Sequence, residues 1–108
     1  MRLYVAATFD LLRAYRDAGA IPATAERIVA SDASEEAEYL ALMSAADIAV
    51  SAGADRRVVL VAEQESEAGA IAWANLVAIH ADAQPFTDPD DEPGWYGVQE
   101  VDDLLAGG

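Results

Sequence analysis

Val58-Val59-Leu60-Val61-Ala62 is an unbroken apolar run with three β-branched residues. A run this short reads as a strand rather than a helix, and a strand apolar at every position has to be covered on both faces. Asp55-Arg56-Arg57 leads into it from a helical stretch. Asp32 or Ser34 can cap that helix, Glu35 and Glu36 put negative charge at its positive dipole end, and Tyr39, Leu42, Met43, Ala46, Ala49 and Val50 recur at helical spacing before Gly53. Residues 27–30 read as a short strand ahead of it. Nearer the N-terminus, Leu3, Tyr4 and Val5 mark a second strand apolar on both faces. Thr8 then caps a helix expected over residues 9–18, with Leu11, Leu12, Tyr15 and Ala18 at helical spacing and Gly19 as the stop.

Beyond the central run, residues 63–69 are a polar connection and residues 76–81 read as another strand. Pro85, Pro89 and Pro93 interleave with Asp88, Asp90, Asp91 and Glu92, which predicts a flexible acidic loop over residues 84–94. Trp95-Tyr96-Gly97-Val98-Gln99-Glu100 then returns as a last strand, followed by a helical turn over residues 102–105. The order of elements predicts the α/β class: one acidic domain over residues 1–108, with a small, open, mainly parallel sheet and two main helices. The alternative is a ferredoxin-like α+β sandwich with an antiparallel sheet and both helices on one side.

Twenty Asp and Glu face six Arg and no Lys, for a formal charge of −14. The imbalance is uneven. Residues 1–57 hold nine acids and all six Arg, whereas residues 58–108 hold eleven acids and no base. Such a field repels nucleic-acid phosphates and anionic lipid, so no nucleic-acid or membrane partner is expected; it favours solubility or a basic partner. At 54% hydrophobic the chain is too apolar to be a disordered acidic tail. With no Cys it has no disulfide, thiolate or Cys-type zinc chemistry. Asp10 and Arg13 interrupt the opening before a signal-peptide core could form, and no apolar run approaches the ~20 residues of a membrane span. A cytoplasmic setting is expected.

Candidate chemistry is sparse. His80 and Asp82 lie two apart on a strand and would share a face, where a carboxylate can orient an imidazole. There is one His, so a His-rich zinc site is not expected and the plainer reading is a histidine hydrogen-bonded at the sheet edge. Asp88, Asp90, Asp91 and Glu92 offer oxygen ligands without the spacing of a calcium loop. Glu35, Glu36 and Glu38 are explained by the helix start. Trp95, Tyr96, Gln99 and Glu100 combine aromatic bodies with an amide and a carboxylate, which suits a ligand-pocket wall and equally a packed C-terminal segment or subunit contact. No phosphate loop, nucleophile elbow or metalloprotease helix motif is present.

Arg2-Leu3-Tyr4, Glu35-Glu36-Ala37-Glu38-Tyr39, Arg56-Arg57-Val58-Val59, Val77-Ala78-Ile79-His80-Ala81-Asp82 and Trp95-Tyr96-Gly97-Val98-Gln99-Glu100, taken in order, resemble an uncharacterised actinobacterial family of unknown function. The resemblance spans most of the chain, which is shorter than typical members ahead of the second helix and again before Trp95. It implies a shared fold and a cytoplasmic setting, and brings no activity, cofactor or catalytic residue. The sequence therefore points first to a non-catalytic interaction or scaffold protein with an acidic C-terminal half, whose partner is a basic protein or a second copy of the chain. The alternative is a small-molecule-binding protein or enzyme with a ligand site formed by His80, Trp95, Tyr96, Gln99 and Glu100, and with Tyr4 or Glu38 nearby. No cofactor, metal ligand or catalytic residue is assigned.

Overall fold

A computed structural model describes residues 1–107. Strand β1 (Arg2–Ala7) leads to helix α1 (Phe9–Ala18), the short strands β2 (Ala20–Ile21) and β3 (Arg27–Val29), and helix α2 (Glu35–Ser51). Strands β4 (Val58–Glu63), β5 (Ile71–Ala72), β6 (Leu76–Ala81) and β7 (Gly94–Tyr96) follow, and helix α3 (Val101–Gly107) closes the described chain. Both long helices start as the sequence dictates. The Thr8 and Ser34 hydroxyls accept from the backbone N–H groups of Leu11 and Ala37. Gly19 ends α1 in the left-handed conformation at φ 74°, which a side chain would resist.

The main sheet has the order β3-β1-β4-β6-β7, and every neighbouring pair is antiparallel. This corrects the expectation of a mainly parallel sheet. Burial on both faces requires layers above and below, and it says nothing about strand direction. Here the layers are helices: α1 and α3 pack on one face, against Leu3, Val5, Val58, Leu60 and Ile79, while α2 packs on the other, against Tyr4, Val59 and Val61. The ferredoxin-like alternative fits the antiparallel sheet and the β3–α2–β4 crossover that straddles β1, but its placement of both helices on one side does not, since α1 and α2 cover opposite faces. A small second sheet pairs β2 with β5.

β4 sits in the middle, and Val58 to Ala62 are buried to 3% exposure or less. Helix α2 meets the sheet differently from the expected stripe. Its buried residues are Ala37, Ala41, Leu42, Ala45, Ala46 and Ala49, whereas Tyr39 is exposed. Alanine brings the helix axis close to the strands, and a helix apolar nearly all round leaves its larger side chains free to face the flanks.

Past the ends of β4 and β6, one buried ion pair ties the sheet to the acidic loop. The Arg57 guanidinium donates through Nε to Asp82 Oδ2 at 2.7 Å and through Nη2 to Asp82 Oδ1 at 3.0 Å. The same guanidinium donates to the carbonyls of Pro89 and Asp91, at 3.2 and 2.8 Å, and lies 4.7 Å from the Phe86 ring centroid. Residues 82–93 carry no helix or strand, so these bonds act as their anchor. Every buried side-chain N or O among the described residues is hydrogen-bonded. No helix among them is long and apolar enough to cross a membrane.

Candidate functional site

Helix α2 covers the β3-β1-β4 part of its face and leaves the β6-β7 part open. The step between them is a groove of about 670 Å³. Tyr4, Val61, Ala78 and His80 line it from the strands, Glu35, Glu38 and Tyr39 from the first turns of α2, and Glu92 and Trp95 from the far side. The register explains the composition. His80 pairs across the strands with Trp95, and Val61 with Ala78, so these side chains project to one face. Trp95 is 62% exposed, an unusual state for so large a side chain, and Tyr39 and Val77 are exposed beside the same groove.

Three ionisable groups of the groove, Arg2, Tyr4 and Glu38, are held by internal partners. Glu38 Oε1 accepts from Arg2 Nη1 at 2.6 Å and from the Tyr4 hydroxyl at 3.2 Å, and Arg2 also bonds Glu63 at 2.6 Å. Burial first, and the Glu38 charge second, push the Tyr4 hydroxyl up to about 12. The folded chain therefore keeps the Tyr4 proton where the unfolded chain has lost it, and stability should decline as pH rises from about 10 through about 12. A wild type minus Tyr4→Phe absorbance titration with its midpoint near 12 is the expected result; a midpoint at the ordinary 10.0 contradicts this placement. His80 is held below its ordinary value by burial, with a hydrogen bond to the Pro93 backbone and the Glu92 charge opposing. The imidazole is neutral at pH 7.

The expected site residues divide between the two faces. His80 and Trp95 are brought together in the groove with Tyr4 and Glu38. Tyr96 turns to the opposite face, where it packs against the core and lines a separate pocket of about 200 Å³ with Arg56, Glu100 and Asp103. Glu100 Oε1 accepts from the Gly97 N–H at 3.2 Å, and the exposed Gln99 amide folds over the same glycine. Glu100 and Gln99 therefore shape the turn into α3 and stay out of the groove. The candidate His80–Asp82 pairing gives way to an ion pair, in which both Asp82 oxygens accept from Arg57. Glu35, Tyr39 and Glu92 were not foreseen as site residues; the strand period placing His80 and Trp95 on the α2 face was the available signal. Among the described residues no three His, Asp or Glu side chains gather in a metal-binding group.

Fold and groove together define a small mixed α/β protein with an open, aromatic and acid-lined sheet face. The chain belongs to a family of unknown function, DUF6912, whose model matches residues 1–90. Tyr4, Glu35, Glu38, Tyr39 and His80 lie within that match, and Trp95 lies beyond it. Comparisons with curated proteins and with solved structures return no match.

Proposed function

We propose that this chain is a non-catalytic interaction protein that holds a basic partner in the groove between α2 and the β6-β7 half of the sheet. The observation that carries the reading is Trp95, 62% exposed on the wall of a groove of about 670 Å³. Exposed aromatics next to apolar floor are what partner-binding surfaces present, and Trp and Tyr dominate binding energy where they are covered. The sign of the partner follows from charge. Glu35 and Glu92 line the groove within a chain of net charge −14.

The non-catalytic reading is supported by how two of the reactive carboxylates are engaged. Glu38 is bonded to Arg2 and Tyr4, and Asp82 to Arg57. A general base has to reach a substrate proton, and these groups already have partners. A cytoplasmic location accords with this reading, and the acidity disfavours a membrane or nucleic-acid partner.

The test is capture from lysate at low and at high salt, with wild type and Trp95→Ala compared. The expected outcome is a partner retained by the wild type, released as salt is raised, and lost to the variant. Equal retention by the variant, or retention indifferent to salt, contradicts the proposal.

A further inference from the structure

We infer that the group recognised in the groove is an arginine side chain on an extended segment of a protein partner, its guanidinium lying on the Trp95 ring beside the Glu92 carboxylate. This rests on the groove being the partner surface, and adds the chemistry of the contact.

Among the described residues the cation lining the groove is Arg2, and Glu38 and Glu63 already hold it. The chain contains six Arg and no Lys. Arg2, Arg13, Arg16 and Arg57 are in ion pairs. Arg27 donates to the carbonyls of Pro22, Ala23, Ala25, Glu67 and Gly69. Arg56 donates to the Asp82 carbonyl at 3.1 Å and lies 3.9 Å from the Phe9 ring centroid. Glu35 and Glu92 enter no ion pair among the described residues. Both carboxylates are exposed and so are open to an incoming cation.

The chain itself shows which cation suits an aromatic surface. Arg56 sits over Phe9 and Arg57 over Phe86, whereas the more exposed Trp95 ring, a better cation–π surface than phenyl, carries no cation among the described residues. Glu92 and Trp95 line the same groove, and the Glu92 charge acts on His80, the cross-strand partner of Trp95. A planar guanidinium stacks on the indole and turns its N–H groups to a carboxylate at once; an ammonium serves one of these contacts at a time. His80 is uncharged and does not repel the cation. A second copy of this chain is a poor occupant, since it would bring Glu35 and Glu92 against their own equivalents with no available cation between them.

The test uses the whole chain, uniformly labelled with nitrogen-15, and three probe peptides, acetyl-Gly-Arg-Gly-Arg-Gly-amide and its lysine and citrulline counterparts. At low salt the arginine peptide is expected to shift the Trp95 indole N–H and the backbone signals of Tyr39 and His80. The lysine peptide should bind about threefold or more weakly, and the citrulline peptide should leave the signals in place. Trp95→Ala should weaken the arginine peptide about tenfold. Glu92→Gln should weaken it several-fold without unfolding the chain, which a thermal melt checks.

The inference is overturned if no groove signal moves. It is equally overturned if lysine or spermidine binds as well as arginine, or if the same signals shift on self-association alone. The two readings fail separately. Partner loss in Trp95→Ala without arginine-peptide binding removes the arginine assignment and leaves the partner surface; unchanged partner capture by Trp95→Ala removes both.

Discussion

Arg57→Met is expected to lower the free energy of unfolding by about 3–5 kcal/mol, with the melting temperature falling by more than ~10 °C. The side chain is 1% exposed, and its removal leaves the Asp82 carboxylate, 9% exposed, without a counter-charge. Two carbonyls of the acidic loop, those of Pro89 and Asp91, lose their donor at the same time. The cost comes from the orphaned charge rather than from a large net gain by the pair, because bringing both ions out of water offsets much of their attraction. The double variant Arg57→Met with Asp82→Leu should therefore recover part of the loss, the remainder reflecting the backbone N–H of residue 57, which donates to Asp82 Oδ2 at 2.8 Å and loses its acceptor. The loop of the double variant should still exchange amide protons faster than in the wild type, since the carbonyl anchors stay absent. Urea unfolding of the three proteins measures this; a single variant within about 1 kcal/mol of wild type contradicts the placement of the pair.

Leu60→Ala should cost about 2–5 kcal/mol, a large part of the stability of a domain this size. Leu60 is fully buried on the central strand, between Val5 of β1 and Ile79 of β6 in register. The neighbouring strands are pinned by their own hydrogen bonds and cannot close in, so most of the vacated volume persists as a cavity. Val77→Ala, at 43% exposure beside the groove, is the matched contrast and should cost well under 1 kcal/mol. The difference between the two measures how unequally the sheet is covered. Similar losses at both positions would mean that the β6-β7 face is buried in solution.

How much of this could be read from the residues depends on the range of the interaction. Caps and stops are local, so Thr8, Ser34 and Gly19 marked the helix ends where they are found. The runs at 3–5 and 58–62 marked the central strands, since burial on both faces leaves its signature in composition, and Val77 and Ile79 marked the strand at 76–81. Strand direction leaves none. The chain reverses through β2 and the following loop to lay β3 antiparallel to β1, and no periodicity records that reversal. The closing segment was read as one strand, but β7 stops at Tyr96 and a 3-10 turn over Val98–Glu100 enters α3. Helix α2 misled for a different reason: with apolar residues almost all round, the stripe containing Tyr39 looked as buried as the alanines that actually face the sheet.

For the site, Trp95 and Tyr96 were expected on one pocket wall, although adjacent strand residues point to opposite faces. The structure follows the strand period. Glu35 and Tyr39 reach the groove from a helix far away in sequence, and Asp82 meets Arg57 across 25 residues, so neither association has a local sign. The family match supplies membership without an activity, so the functional reading rests on the geometry of that groove.

The decisive measurement is a hydrogen-exchange footprint of the labelled chain with its captured partner bound. The two sheet faces carry separate markers: Tyr39, Val77, His80 and Trp95 report on the groove, and Tyr96, Glu100 and Asp103 on the opposite pocket. Protection concentrated on the first set is the predicted result. Protection confined to the second set, or to the 84–93 loop alone, would show that the open half of the sheet is not where this protein meets its partner.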